Sequence, residues 1–363
     1  MDKPPRRGQA TTVVIGAGVS GLSTALALLD RGHAVSVLER GEAGRESSWA
    51  GGGILSPLLP WDYAEAVSAL ALRSMRAFGG WVAGVEARSG LAAEYWRCGM
   101  RVLDAASPDA ALAWGAAHGL RVEPRADGSL WLPEIAQVRN PRLVAALRAA
   151  VLQAGGALHE QCAATGVLSD GGRVTAVQTE TGTLPADTVV LAAGAWSGLG
   201  LTGLVPPPNI RPVRGQMLLF KLAPGTLDSI LYRRGLYLIP RRDGHLLVGS
   251  TLEDAGFDKS TDRDAATRLH AEAADLLPAL ADAEPVQHWA GLRPGAPANL
   301  PVIDRHPDFG NVFVNTGHFR YGVTMAPAAS ELLADLIEGK APALDPAPYR
   351  WEAAFGRRWT EAL

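Results

Sequence analysis

Cysteine is nearly absent. Cys98 and Cys162 are the only two in 363 residues, and they lie far apart. That excludes a disulfide framework and a cysteine-based metal site. The chain has no C-x-x-C, no H-E-x-x-H and no internal repeat. Charge of either sign is not in excess either: the net value is −3, so no basic surface for nucleic acid is expected. With 47% hydrophobic residues the chain is no candidate for disorder. Long apolar runs are missing as well. Arg6 and Arg7 ahead of an apolar stretch imitate a signal peptide. That stretch holds three glycines and is too short and interrupted to span a bilayer. The expectation is a cytoplasmic protein with no targeting or membrane segment, no membrane partner, and a polar, frayed tail over 1–10. Tryptophan is the exception to this scarcity. There are ten, expected as core or interface anchors.

What is present begins with TTVVIGAGVSGLSTALALLDRGHAVSVLER at 11–40. It reads as strand, glycine turn, helix, strand, acid. Val13, Val14 and Ile15 form a short β-branched run, as a buried parallel strand requires. Gly16, Gly18 and Gly21 give G-x-G-x-x-G. The first permits the tight turn, the second a close approach of backbone to a pyrophosphate, the third tight packing of helix on strand. The helix over 19–31 aims its N-terminal amides and positive dipole end at that pyrophosphate. Glu39, ending the second strand, accepts hydrogen bonds from ribose hydroxyls and repels a 2′-phosphate. A lone G-x-G-x-x-G is weak evidence, but here every contextual element is in place.

Further along, Arg45, Ser47 and Ser48 precede Gly51, Gly52 and Gly53, a run whose backbone amides can line an extended ligand. Helices are expected over 64–88, 108–118 and 141–153, the last closed by Gly155 and Gly156. A hairpin turns at Asp170-Gly171-Gly172. Residues 187–197 read as a buried strand running into Gly194. The segment 211–251 alternates apolar and polar residues, which predicts an antiparallel sheet with one solvated face. A helix over 262–277, a strand over 286–292, then a strand, a glycine loop and a helix over 325–338 complete the chain. The fold class is α/β, with a discontinuous Rossmann-like nucleotide domain (11–90, 140–204 and 286–345). A mostly antiparallel α+β substrate domain (91–139 and 205–285) is inserted in it.

The chain resembles the FAD-dependent D-amino-acid oxidase family, and within it the glycine oxidases of thiamine biosynthesis. The resemblance covers 11–340. It rests on GAGVSG at 16–21, SSWAGGGILSP at 47–57, VVLAAGAWS at 189–197, YLIPRRDGHLLVGST at 237–251, AGLRPGAPANLPVI at 290–303 and NTGHFRYGVTMAP at 315–327. It implies FAD as cofactor, bound noncovalently because 290–303 holds no cysteine. The cofactor-binding residues it implies are Gly16, Gly18, Gly21, Glu39, Arg40, Ser47, Ser48, Gly51, Gly52, Gly53, Ala164, Gly194, Trp196 and Gly291. The loop of His318, Phe319, Arg320, Tyr321, Gly322, Val323 and Thr324 is expected to wrap the isoalloxazine.

The same resemblance gives Arg293 the task of gripping a substrate carboxylate, for which a planar guanidinium fork is suited. Tyr237 supports the substrate, and Arg320 faces the flavin or the substrate carboxylate. Ile54 and Leu252 stand where relatives carry Met near the substrate, which leaves glycine, sarcosine and small D-amino acids all open. A lone His is more often structural, so His318 is not read as a catalytic base. No residue is expected as acid or base, because hydride transfer needs alignment and desolvation instead. The expected reaction oxidises a small amino acid to an imine, with O2 reduced to H2O2 and the glycine imine feeding thiazole assembly. Two readings stand beside it: a dehydrogenase passing electrons to another carrier, and a noncatalytic flavoprotein subunit. A homo-oligomer is expected by analogy with relatives.

Overall fold

A computed structural model describes residues 11–359. The tail over 1–10 and its Arg6 and Arg7 lie outside them.

A six-stranded sheet forms the first layer. Its order is Val302–Arg305, Val312–Thr316, Thr188–Leu191, Thr11–Ile15, Ala34–Leu38, Ala157–His159, and only the edge strand Val302–Arg305 runs antiparallel. Val13, Val14, Val37, Val189 and Val190 are fully buried, as the β-branched runs require of strands covered on both faces. One face carries the helices Val19–Asp30, Glu65–Ser89, Asn140–Gln153 and Gly322–Ile337. The other carries the three-stranded sheet of Ala164–Asp170, Arg173–Thr179 and Gly182–Pro185 together with Trp351–Phe355.

The second large sheet has eight strands. Gln287–Gly295, Arg211–Lys221, His245–Gly249, Leu236–Pro240 and Ile230–Arg233 are followed by Met100–Val102, Leu130–Leu132 and Glu123–Pro124. All pairings are antiparallel except that of Ile230–Arg233 with Met100–Val102. Two expectations are corrected here. The sheet has no solvated face at its centre. Leu218, Phe220, Leu238, Leu246 and Val248 pack under helix Arg263–Leu276, while Met217, Tyr237, Ile239 and Leu247 fill the opposite face. Both phases of the alternation are apolar, so period two survives but polarity does not mark an outside. Residues 286–295, placed above with the nucleotide-binding part, instead pair along their length with Arg211–Lys221 in this sheet.

Element ends shift for local reasons. The strand expected over 187–197 stops at Leu191, and Gly194, with φ of +55°, opens the 3₁₀ turn Gly194–Leu199. The C-terminal helix begins at Gly322 rather than Met325 and holds Pro327 within it. Helix Arg263–Leu276 starts where expected because the Asp262 carboxylate accepts a 2.7 Å hydrogen bond from the Ala265 N–H.

Candidate active site

The glycine turn is built by close backbone approach. Gly16 sits at φ +106°, and a Cβ there would stand 2.5 Å from the Ala192 carbonyl oxygen. A Cβ at Gly21 would stand 1.8 Å from the Gly16 carbonyl oxygen, so this position packs helix on strand. The Ser48 hydroxyl accepts a 2.9 Å hydrogen bond from the Val19 N–H at the helix start. Glu39 closes the turn: its Oε2 accepts from Ala17 N–H at 2.8 Å and its Oε1 from Gly41 N–H at 3.1 Å. The Arg40 guanidinium lies 3.7 Å from the centre of the Trp196 ring, whose other neighbour is Phe257. Glu46 takes both Arg40 and Lys259 at 3.1 Å.

From this turn a cavity of 640 Å³ extends to the second sheet. It is lined at the near end by Gly16, Gly18, Glu39, Arg40, Ser47, Ser48, Ala164, Gly194 and Trp196. Gly51, Gly52 and Gly53 line its middle. Ile54, Tyr237, Leu252, Gly291, Arg293 and residues 318–323 line the far end. Two of the residues named from sequence are not on its wall. Gly21 is under the turn, and the buried Thr324 hydroxyl donates at 3.1 Å to the Ile54 carbonyl, steadying the wall from behind.

At the far end Arg293 lies opposite Val213 in the strand pair. Its Nη2 donates to Ser250 Oγ at 2.6 Å, and its Nη1 to the carbonyls of Arg214 and Thr251 at 3.3 Å. Desolvation pulls its pKa down, and the like charge of Arg320 adds to this; the neighbouring Tyr237 phenol and Glu253 act the other way. Glu253 itself is engaged by Arg214 at 2.5 Å and by Gln216 Nε2 at 2.8 Å. Among the described residues no carboxylate pairs directly with Arg293. The guanidinium is laid flat on Gly215, where a Cβ would meet Nη1 at 2.2 Å.

His318 is 1% exposed. Its Nδ1 stands 3.5 Å from Ser20 Oγ, its Nε2 has no hydrogen-bond partner among the described residues, and the residue lines the cavity. Burial pushes its pKa down to about 4, so it is neutral at pH 7. The loop is anchored to the arginine strand by Phe319 N–H donating to the Pro294 carbonyl at 3.0 Å.

Sequence reading missed several participants. Gly215, Met217, Ser250 and Thr251 line the far end, and Asn140 the middle. Arg241 is buried beneath it. Its Nη2 donates to the Gly52 carbonyl at 2.9 Å, and its Nη1 to the Val138 carbonyl at 2.9 Å and to Gln137 Oε1. Burial lowers its pKa to about 10, and it still holds the glycine loop as a cation. The run R-G-Q-M and the segment G-S-T were visible signals, since glycine beside a functional strand marks close approach. Neither cysteine lines the cavity, and no cluster of His, Cys, Asp and Glu among the described residues is arranged to hold a metal.

The family model described as DAO, FAD dependent oxidoreductase, matches residues 11–336. The chain is 46% identical over 353 residues to a glycine oxidase of Pseudomonas aeruginosa, covering 93% of this chain and 97% of that protein. It is 33% identical over 346 residues to a bifunctional protein ThiO/ThiG of Trichormus variabilis, covering 90% of this chain and 52% of that one. The crystal structure of glycine oxidase from Geobacillus kaustophilus superposes with a TM-score of 0.87 at 27% identity, covering 94% of this chain and 99% of that one. The chain belongs to the DAO family of FAD-dependent oxidoreductases.

Proposed function

We propose that this protein oxidises glycine, or another small amino acid such as sarcosine or a small D-amino acid, to the imine, with O2 as the electron acceptor and H2O2 as the second product. The observation that carries it is Arg293, a half-buried guanidinium at the cavity's far end with which no carboxylate among the described residues pairs. A cation withdrawn from water without an anion is costly unless a ligand supplies one. An amino-acid carboxylate does so.

The residues present fit FAD. A glycine turn stands at a helix start, Glu39 ends the neighbouring strand, and His318 Nε2 is an orphaned polar atom on the same wall. FAD, when bound, supplies the two-electron acceptor for the C–H bond next to the amine. The turn and its helix amides hold the pyrophosphate. Glu39 has lone pairs left for a ribose. Arg293 offers its remaining N–H groups to the carboxylate, with the Tyr237 phenol beside it. Ile54, Met217 and Leu252 give that end an apolar wall that excludes water. Neutral His318 lends no positive charge and serves as a hydrogen-bonding wall. No cysteine lines the cavity to attach the flavin, which supports noncovalent binding.

The parallel sheet with its helices serves as the cofactor-binding part. The eight-stranded sheet, with 287–295 now included, serves as the substrate-binding part. Supplying the glycine imine for thiazole assembly in thiamine biosynthesis, a cytoplasmic location and a homo-oligomeric state are part of the same reading. No helix among the described residues is long and apolar enough to cross a membrane.

The deciding experiment is anaerobic mixing with glycine, sarcosine, small D-amino acids and bulky L-amino acids, followed by air. Bleaching of the flavin band by the first three groups and recovery in air with peroxide release are expected. Bleaching by L-amino acids alone would overturn the substrate reading. Failure to recover in air would point to another electron carrier.

A further inference from the structure

We infer that the Asn140 side-chain amide hydrogen-bonds the polyol segment at the middle of the bound dinucleotide, between its pyrophosphate and its flavin ring. The inference rests on the FAD reading above. Asn140 is the first residue of helix Asn140–Gln153, and it is 1% exposed. It lines the cavity, yet among the described residues neither Nδ2 nor Oδ1 has a hydrogen-bond partner. A buried amide with both ends unsatisfied is rare and calls for an explanation. Capping its own helix is not the explanation: the N-cap is Arg139, and no side-chain cap bond forms.

Its position narrows the partner. A Cβ at Gly51 would stand 2.9 Å from Nδ2, and one at Gly53 would stand 2.6 Å from Oδ1. The amide is therefore laid across the glycine loop, and both glycines are needed beside it. That loop joins two ends of the site. Ser48 precedes it at the pyrophosphate turn, and Ile54 follows it at the substrate end. Gly52 approaches Tyr237 Cε2, at 3.4 Å from a Cβ placed there. An amide presents a donor and an acceptor side by side, which matches a hydroxyl that must do both. A pyrophosphate only accepts, and would leave Oδ1 unpaired.

The test uses the full chain freed of flavin, in native form and as Asn140→Leu, with Asn140→Ala as the second variant should the first fail to fold. Titration with FAD is followed by quenching of flavin fluorescence. Titration with ADP, which has the pyrophosphate but no polyol, is followed by calorimetry. FAD affinity should fall about ten- to a hundred-fold on Asn140→Leu, the loss expected for one satisfied buried polar group. ADP affinity should be unchanged. The melting temperature without flavin should hold or rise, because an unsatisfied amide has been replaced by an apolar group of similar shape. Equal FAD affinity in native and variant, with a lowered melting temperature, would show a structural role and overturn the inference. Equal losses for FAD and ADP would overturn the polyol assignment. If the native chain binds no FAD, it is the cofactor reading that has failed, and the titrations separate the two.

Discussion

Arg293 is the residue whose removal discriminates most sharply. Arg293→Ala should leave FAD bound, because its contacts are with the second sheet and not with the glycine turn. Losing a charge-assisted contact to a desolvated carboxylate costs roughly 2–5 kcal/mol, or about 30- to several-thousand-fold in kcat/KM for glycine. The loss should fall mainly on KM, since the carboxylate is charged in ground and transition state alike. A simple alkylamine, already poor, should lose little more; an equal loss for both substrates in a peroxide assay would remove Arg293 from the carboxylate. Glu39 is a second case. Because its carboxylate receives Ala17 and Gly41 amides, Glu39→Ala should both weaken FAD binding and lower the melting temperature of the flavin-free chain. Titration and a thermal melt on the same sample check the pair, and FAD affinity equal to native would take Glu39 off the ribose.

At the scale of elements, legibility followed the strength of the local signal. The Thr11–Ile15 strand, its helix and the second strand were readable because glycine turn, helix length and β-branched runs agree with one another. The eight-stranded sheet was expected to have one solvated face, and at its centre it has none. Leu218, Phe220 and Val248 are as apolar as their neighbours Met217 and Leu247, and a sequence does not show that helix Arg263–Leu276 covers them. Strand Gln287–Gly295 was mislaid for a related reason: its partner is 70-odd residues earlier, and only the register with Arg211–Lys221 fixes its sheet. That register puts Gly215 opposite Gly291 and slides the Arg293 guanidinium over the gap. Arg241 and Asn140 escaped notice because a cation under a loop and an amide across one have no spacing pattern. The pairing yields a prediction. Gly215→Ala should displace the guanidinium and raise the KM for glycine about ten-fold or more, as loss of alignment does. FAD affinity and the flavin spectrum should stay native, and an unchanged KM would mean that the guanidinium does not rest there.

Across the whole molecule acid is destabilising in two pH windows: an upper one to which His318 contributes with His288 and His306, whose pKa values burial also lowers, and a lower one to which Glu338 contributes with Asp243, Glu160 and Glu253. His318 is buried, and its pKa falls from an ordinary 6.5 to about 4. Between those values the unfolded chain binds the proton and the folded chain does not, so stability drops as pH falls from 6.5 toward 4 and the slope then ends. Glu338 has its pKa lowered from 4.5 to about 2, first by its hydrogen bond with Lys340 and then by Arg31, which ties helix Val19–Asp30 to helix Gly322–Ile337. That contribution is complete above about 4.5 and is lost as pH falls toward 2. Its size is modest, since Lys340 is exposed and screened. Denaturant melts of the flavin-free protein at a series of pH values should resolve the windows. His318→Asn should make the stability curve between pH 6.5 and 4 shallower, leaving the share of His288 and His306, and should leave the lower limb alone. Glu338→Gln should lower stability at neutral pH and flatten only the limb below about 4.5. If the His318 variant keeps the native slope through the upper window, the histidine is hydrated or partnered in solution, and its orphaned Nε2 no longer counts toward the fit of the cofactor.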